Sequence, residues 1–224
     1  MTQALELTVT APVVSFRNPL YAGMQVGLPC PPPSTVGGML AAAAGGWDHV
    51  PTHTRFAATF HAAGTGVDLE TYHPLGDPGT PTNTTIKDRE FLARVTLRVW
   101  LLDDLDLWQK ALRRPVWPLK LGRSQDLVSV VTRLVTLQQS PGTQGRAIVP
   151  DNVPGATGTP MRLTTAVSLD RERVRWDGYC YAASGSPALI DTGWSTDSGQ
   201  AVALLPSVHP HQLAIPAGGA RTNS

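Results

Sequence analysis

Hydrophobic and polar residues alternate along several short stretches of the chain, and this alternation predicts most of its strands. A first strand is predicted over 3–9 and a second over 54–63. The alternation is clearest over 90–102, where five apolar residues face away from three polar ones: Phe91, Val95, Leu97, Val99 and Leu101 against Arg94, Thr96 and Arg98. Further strands are predicted at 128–139, 161–169 and 173–183.

Two helices are predicted between these strands. The first is capped by Ser34-Thr35, continues through an alanine run and ends at Gly45. The second covers 104–114 and ends before Pro115, because the residue that precedes a proline disfavours helix. The resulting order, strand-helix-strand-strand-helix-strand, is the ferredoxin-like pattern shared with RNA-recognition folds.

Four segments lack a regular pattern. The prolines between 10 and 33 exclude a regular element there. Residues 64–88 form a polar insertion rich in glycine, proline and threonine, and an insertion of this length is either functional or a mobile loop. Residues 140–160 are predicted to be loop. From 184 onward the chain is rich in glycine, proline and serine, so we expect it to lie over the surface and to end in a frayed tail.

The composition is that of a folded chain outside a membrane. Of 224 residues, 42% are hydrophobic and 16% charged, which indicates one domain with a core and excludes a wholly disordered chain. No run of about 18 apolar residues is present, and the first residues do not form a secretory signal. The two cysteines, Cys30 and Cys180, suit a reducing compartment. We therefore expect a cytoplasmic protein with no membrane partner.

The net charge of +1 conceals an uneven distribution of charge. Residues 110–175 hold 11 Lys and Arg against four Asp and Glu, a net charge of +7, whereas the segments on either side are negative. Of the 18 basic residues 15 are arginine, whose planar guanidinium can bind phosphate through two hydrogen bonds. This pattern favours a polyanion such as a nucleic acid as partner, and the alternative is a solvated basic surface.

The run Pro31-Pro32-Pro33-Ser34-Thr35-Val36-Gly37-Gly38-Met39-Leu40 leads a rigid proline stretch into a helix. The free N–H groups and the dipole at a helix N-terminus favour a phosphate. Gly37 and Gly38 each cost the helix about 1 kcal/mol relative to alanine, which indicates close approach by a ligand or by another backbone. The alternative is an ordinary capped helix whose glycines pack against a strand.

A second segment, Lys120-Leu121-Gly122-Arg123-Ser124, places a glycine between two basic residues. Gly122 would allow the backbone to approach a phosphate or a base, and Lys120 and Arg123 would supply positive charge. The alternative is a β-turn that carries two solvated cations.

Together with Phe16-Arg17-Asn18-Pro19, these two segments resemble the signature blocks of the Cas5 (Cas five) family, over about residues 1–185. Members of this family are CRISPR-associated RAMP subunits that hold the 5′ handle of the guide RNA in type I Cascade complexes. The blocks resemble the forms in subtype I-B and related systems more than the subtype I-E form.

The resemblance implies an α+β fold with two parts. Residues 1–139 would form a modified ferredoxin-like (RRM-like) RAMP domain with a β-hairpin thumb inserted at about 64–90. Residues 140–224 would form a small β-rich C-terminal region with a loop-rich tail. The implied function is that of a non-catalytic Cascade subunit in antiviral defence. It would bind and cap the crRNA 5′ handle, bridge the backbone and large subunits, and contact target DNA within the assembled complex.

The resemblance also implies which residues bind the RNA handle. Phe16 would stack on an unpaired base beside the charge of Arg17, and the helix N-terminus would bind a phosphate. The implied RNA-binding residues are Phe16, Arg17, Ser34, Thr35, Gly37, Gly38, Lys120, Gly122, Arg123 and Ser124.

The family also includes subtype I-C members that cleave precursor crRNA without a metal and carry a Lys-His type pair near the glycine-rich block. Here Lys120 is followed by Leu121, so we expect no catalytic residue. His209 and His211 lie close together but no Cys or carboxylate cluster accompanies them, so we expect no metal, and we expect no cofactor. A metal-independent endoribonuclease remains the alternative, because several candidate general acids and bases are present: Tyr21, His49, His53, His61 and His73. If the resemblance is set aside, a protein-interaction scaffold without RNA is the third possibility.

Overall fold

The computed structural model describes residues 1–21, 26–72 and 85–213. Their secondary structure is mostly antiparallel strand with two α-helices, so the fold is α+β as expected. The elements are β1 (Thr2–Val14), α1 (Pro33–Ala44), β2 (Phe56–Tyr72), β3 (Thr85–Leu101), α2 (Leu105–Arg113), β4 (Ser129–Leu137), β5 (Gly142–Gly145), β6 (Ile148–Pro150), β7 (Thr159–Val167), β8 (Val174–Tyr181) and β9 (Ser186–Ile190). Neither described helix is long and apolar enough to cross a membrane.

The main sheet has the strand order β2-β3-β1-β4, and every neighbouring pair is antiparallel. One face of this sheet packs into the core with α1 and α2, because side chains alternate between the two faces of a strand. The alternation predicted over 90–102 is confirmed for four of its apolar residues, which are buried on this inner face: Val95, Leu97, Val99 and Leu101.

The outer face of the same sheet is partly covered by the C-terminal part of the chain. Trp100 is fully buried there against Val202, and its Nε1–H donates a hydrogen bond of 2.9 Å to Glu6. Leu205 and Val208 join the main core. The expectation that residues from 184 onward lie over the surface is therefore wrong for this segment, because its apolar side chains fill gaps that the strands leave.

Strands β2 and β3 form a long hairpin, paired from Phe56 opposite Leu101 to Tyr72 opposite Thr85. The ends of the predicted insertion are therefore strands, since backbone pairing does not need an apolar face. The centre of the insertion, 73–84, lies outside the described residues. Residues 140–160, predicted to be loop, contain the short strands β5 and β6.

The start of α1 differs from the prediction, whereas its end agrees with it. The helix begins at Pro33, with Pro32 as its N-cap, and has no side-chain cap. Proline suits the first position of a helix, because its missing N–H would have no partner within the helix. The hydroxyl of Ser34 instead forms a 2.7 Å hydrogen bond with Thr164 on β7. Gly45 ends the helix at φ +96°, and its N–H donates to the Ala41 carbonyl oxygen at 3.0 Å.

Candidate nucleic-acid interface

The three sequence blocks meet in a single cleft of about 170 Å³. Five of the ten expected RNA-binding residues line it: Phe16, Arg17, Thr35, Gly122 and Arg123. Three further lining residues were not expected from the sequence: Ser15, Pro32 and Arg89. The cleft lies where β1 ends, α1 begins and the glycine turn at 122 approaches both.

The first block is held in place by the hairpin and by the segment after it. The hydroxyl of Ser15 donates to the Glu90 carbonyl oxygen on β3 at 2.7 Å. The Leu28 N–H donates to the Phe16 carbonyl oxygen at 2.7 Å, and the Gly27 N–H donates to the Glu90 carboxylate at 3.0 Å. These bonds fix the backbone of Arg17 at the rim of the cleft.

Gly122 allows two parts of the protein's own backbone to pack closely. Its φ is +105°, and a Cβ at this position would lie 2.6 Å from the Ser15 carbonyl oxygen. An L-residue would meet both a strained backbone and a backbone clash here. The glycine is therefore required by the turn itself, whether or not a ligand is bound.

Asp126 joins the glycine turn to the first block. This buried carboxylate accepts hydrogen bonds from the backbone N–H groups of Ser15, at 3.1 Å, and Arg123, at 3.0 Å. It also binds the Arg123 guanidinium through Nε and Nη2, each at 3.0 Å from Oδ1. The side chain of Arg123 is only 17% exposed, so its charge is largely committed to this pair.

Arg89 adds a third guanidinium to the cleft and pairs with Glu70 across the β2–β3 hairpin. Burial lowers the pKa of Arg89, and the nearby charges of Arg123 and Arg17 lower it further. Three guanidinium groups therefore act on one another in the cleft, and Arg17 is exposed with no ion pair among the described residues. The place of Arg89 in the cleft depends on the register of the hairpin, and no motif around it in the sequence indicates that place.

Phe16 does not occupy the position expected of a base-stacking residue. Its ring is buried, with 4% of the residue exposed, and packs edge-on against Phe60 with the ring centres 5.8 Å apart. This placement corrects the expectation for the ring, which offers no open face to a base in this arrangement. Tyr21, five residues further along the same segment, is exposed.

The remaining expected residues lie outside the cleft lining. Ser34 is bonded to Thr164, and a Cβ on Gly37 would lie 2.7 Å from a methyl group of Val208, so both face the protein. Gly38 is exposed, and a Cβ there would meet no atom within 4 Å. Lys120 and Ser124 are exposed on either side of Gly122. Close packing therefore explains Gly37, and Gly38 alone leaves room for an approaching ligand.

None of the described candidate catalytic groups lines the cleft. The described lining of the cleft contains Ser, Thr and Arg as its polar side chains, without His, Tyr or Lys. His53 pairs with Asp104 at 2.9 Å, and His61 lies in a different cleft. His73 falls outside the described residues. Burial raises the pKa of Cys30, and the described ranges hold no cluster of three potential metal ligands.

The sequence model for the family described as CRISPR-associated protein (Cas_Cas5) matches residues 4–184. This match covers most of the chain and all three blocks that form the cleft. The chain belongs to the Cas5 family of CRISPR-associated proteins. No curated protein matches the sequence.

The fold of this Cas5 family member resembles that of a chain in a solved complex. A chain of a CRISPR RNA-guided surveillance complex is 17% identical, with a TM-score of 0.56, and the alignment covers 93% of this chain and 96% of that chain. A CRISPR protein from Archaeoglobus fulgidus is 13% identical, with a TM-score of 0.49, over 92% of this chain and 100% of that one. At these identities, the likeness to the surveillance-complex chain is a likeness of fold.

Proposed function

We propose that this protein is a non-catalytic subunit of a type I CRISPR effector complex and that it binds the 5′ handle of crRNA. The observation that carries the proposal is the meeting of Arg17, Arg89 and Arg123 with the first turn of α1 in one cleft. Guanidinium groups and helix N-termini are both phosphate-binding elements. Membership of the Cas5 family supports the same function.

The three arginines are expected to contribute unequally. Arg123 is paired with the buried Asp126, and Arg89 is paired with Glu70, so each has part of its charge neutralised inside the protein. The guanidinium of Arg17 forms no such pair with the described residues. Arg17 is therefore the residue whose charge is most available to a phosphate, and Arg89 and Arg123 shape the cleft around it.

We also propose how the chain is divided into regions. The element order β-α-β-β-α-β and the strand order β2-β3-β1-β4 support a ferredoxin-like RAMP domain over 1–139, followed by a C-terminal β-rich region over 140–224. The β2–β3 hairpin would be the thumb that folds over the guide. Within the assembled complex the subunit would bridge the backbone and large subunits and lie near target DNA.

Arg17→Ala should weaken binding of a repeat-derived crRNA 5′ handle by about four- to tenfold at 0.15 M salt, because one phosphate contact is lost. The measurement is a gel shift with labelled precursor repeat RNA in EDTA, followed by a denaturing gel. Arg171→Asn is the matched control: it also removes one charge, and asparagine tolerates the positive φ of 62° at this exposed turn.

Three results would contradict the proposal. The cleft has no special role if Arg17→Ala binds the handle as tightly as the wild-type protein. The same follows if Arg171→Asn loses as much affinity. Cleavage of the repeat at one site in EDTA would instead identify a metal-independent endoribonuclease.

Gly38→Ala separates a role in packing from a role in RNA binding. A Cβ at position 38 meets nothing within 4 Å, so the substitution should stabilise α1 by about 0.5–1 kcal/mol in the free protein. If bound RNA also passes over Gly38, the same variant should bind the handle several times more weakly. Thermal unfolding and the gel shift measure the two effects separately. Unchanged affinity in a stabilised variant would remove Gly38 from the binding surface.

A further inference from the structure

A second cleft, of about 310 Å³, lies on the outer face of the main sheet, away from α1 and from the proposed handle cleft. Its floor is formed by side chains that alternate with core residues on β2 and β3, and the segment after β5 closes one side. The lining residues used below are Thr59, His61, Thr96, Arg98, Arg146 and Gln200.

The charge of this outer-face cleft is positive and unneutralised. Arg98 is exposed, and its guanidinium forms no ion pair or hydrogen bond with the described residues. Arg146 uses its Nε to donate to the Ala183 carbonyl oxygen at 3.0 Å, and its two terminal nitrogens have no partner within the described ranges. The described lining contains no carboxylate. The nearby Glu6 is already occupied by Arg133 and by the Trp100 indole N–H.

His61 adds a hydrogen-bond donor to the cleft. Its Nδ1 is buried without a hydrogen-bond partner. Because Nδ1 is enclosed by protein, the ring can reach a ligand only through Nε2, which donates a hydrogen bond when it carries a proton. Among the described residues Nε2 has no partner, and it is not buried, so it is the nitrogen open to a ligand. The hydroxyl groups of Thr59 and Thr96 lie on the same face and can also donate.

We propose that the outer-face cleft binds a phosphodiester group of a nucleic-acid strand, at a site separate from the handle cleft. Two guanidinium groups, an imidazole N–H and two hydroxyls form a set of donors that suits the oxygens of a phosphate. The two aromatic residues of the lining, Phe60 and Trp100, are both buried, so the cleft exposes no apolar anchor of the kind that typically dominates a protein interface. The strand is either RNA or single-stranded DNA, since both present the same phosphate.

The test is the salt dependence of binding to fluorescein-labelled U12 RNA and dT12 DNA, neither of which carries a repeat sequence. Fluorescence anisotropy is measured between 0.05 and 0.5 M salt. Arg98→Ala and Arg146→Ala should each reduce the slope of log K against log salt by about 0.7 and weaken binding about fourfold at 0.15 M. Arg98→Lys should retain the slope, because it keeps the charge, and Arg171→Asn should leave affinity and slope unchanged.

Several outcomes would overturn this proposal. One is an unchanged salt slope in both alanine variants, and another is an equal loss of nucleic-acid affinity in Arg171→Asn. A third is that the alanine variants lose binding to a poly-glutamate peptide while they still bind nucleic acid as the wild-type protein does. Circular dichroism of each variant identifies any that has failed to fold. If the alanine variants do not fold, Arg98→Lys is measured instead, and a reduced salt slope in folded Arg98→Lys also counts against the site. Whichever of U12 and dT12 shows the larger change in slope identifies the strand.

Arg17→Ala is measured in parallel with the precursor repeat RNA. If Arg17→Ala weakens binding and Arg98→Ala and Arg146→Ala do not, the result supports the handle cleft alone. The reverse result supports the outer-face cleft alone, so failure of one proposal is distinguishable from failure of the other.

Discussion

Asp126→Ala is expected to lower the free energy of unfolding by about 3–5 kcal/mol, because it leaves the Arg123 guanidinium without its buried partner. It also removes the acceptor of two backbone N–H groups, those of Ser15 and Arg123. For a chain of this length the melting temperature should fall by roughly 10 °C. Thermal unfolding followed by circular dichroism measures the change.

A double-mutant cycle tests whether the pair itself is responsible. Arg123→Ala combined with Asp126→Ala should cost less than the sum of the two single variants, because no uncompensated charge remains. Asp126→Asn is the conservative control: its side-chain oxygen can still accept from the backbone, so the loss should be smaller. Additive effects in the cycle would show that the pair contributes little and that the backbone hydrogen bonds carry the effect.

Gly122→Ala is expected to destabilise the protein by about 2–4 kcal/mol, because it combines a strained φ with overpacking. The new Cβ would lie 2.6 Å from the Ser15 carbonyl oxygen, so the turn must move away from β1. This movement displaces Arg123 and Asp126, and we expect handle binding to fall at least tenfold. Chemical unfolding and the gel shift measure the two losses.

Gly193→Ala is the matched control for the backbone strain alone. Gly193 has a φ of +84°, and a Cβ there would meet nothing within 4 Å. The control should therefore cost only about 1 kcal/mol and leave handle binding unchanged. If the two variants lose equal stability, the close approach of Ser15 to the glycine turn has no energetic importance.

Local sequence patterns were sufficient where the controlling physics is local. The alternation in β3 predicted which of its side chains enter the core, since neighbouring strand residues must face opposite sides. Gly45 predicted the end of α1, because a left-handed residue stops a helix. The same local logic failed at the start of α1, where Ser34 bonds to Thr164, a residue on β7 that no pattern near the helix indicates.

The two glycines of the α1 block show where local reasoning stops. Both glycines destabilise the helix by the same amount relative to alanine, and the sequence predicted that a ligand or another backbone approaches closely at each. The structure separates them: Gly37 packs against Val208, from the far end of the chain, whereas Gly38 faces open space. The difference depends on which side of the helix meets the C-terminal segment, and that is a property of the packed fold.

The sequence by itself determined the α+β class, the main strands and the three blocks that place this chain in the Cas5 family. Only the tertiary structure decided which side chains form the cleft. It buried Phe16, brought Arg89 across the hairpin and paired Arg123 with Asp126. The physical reason is that periodicity and backbone preference act between neighbours in the chain, whereas burial and ion pairing act between residues that only the fold brings together.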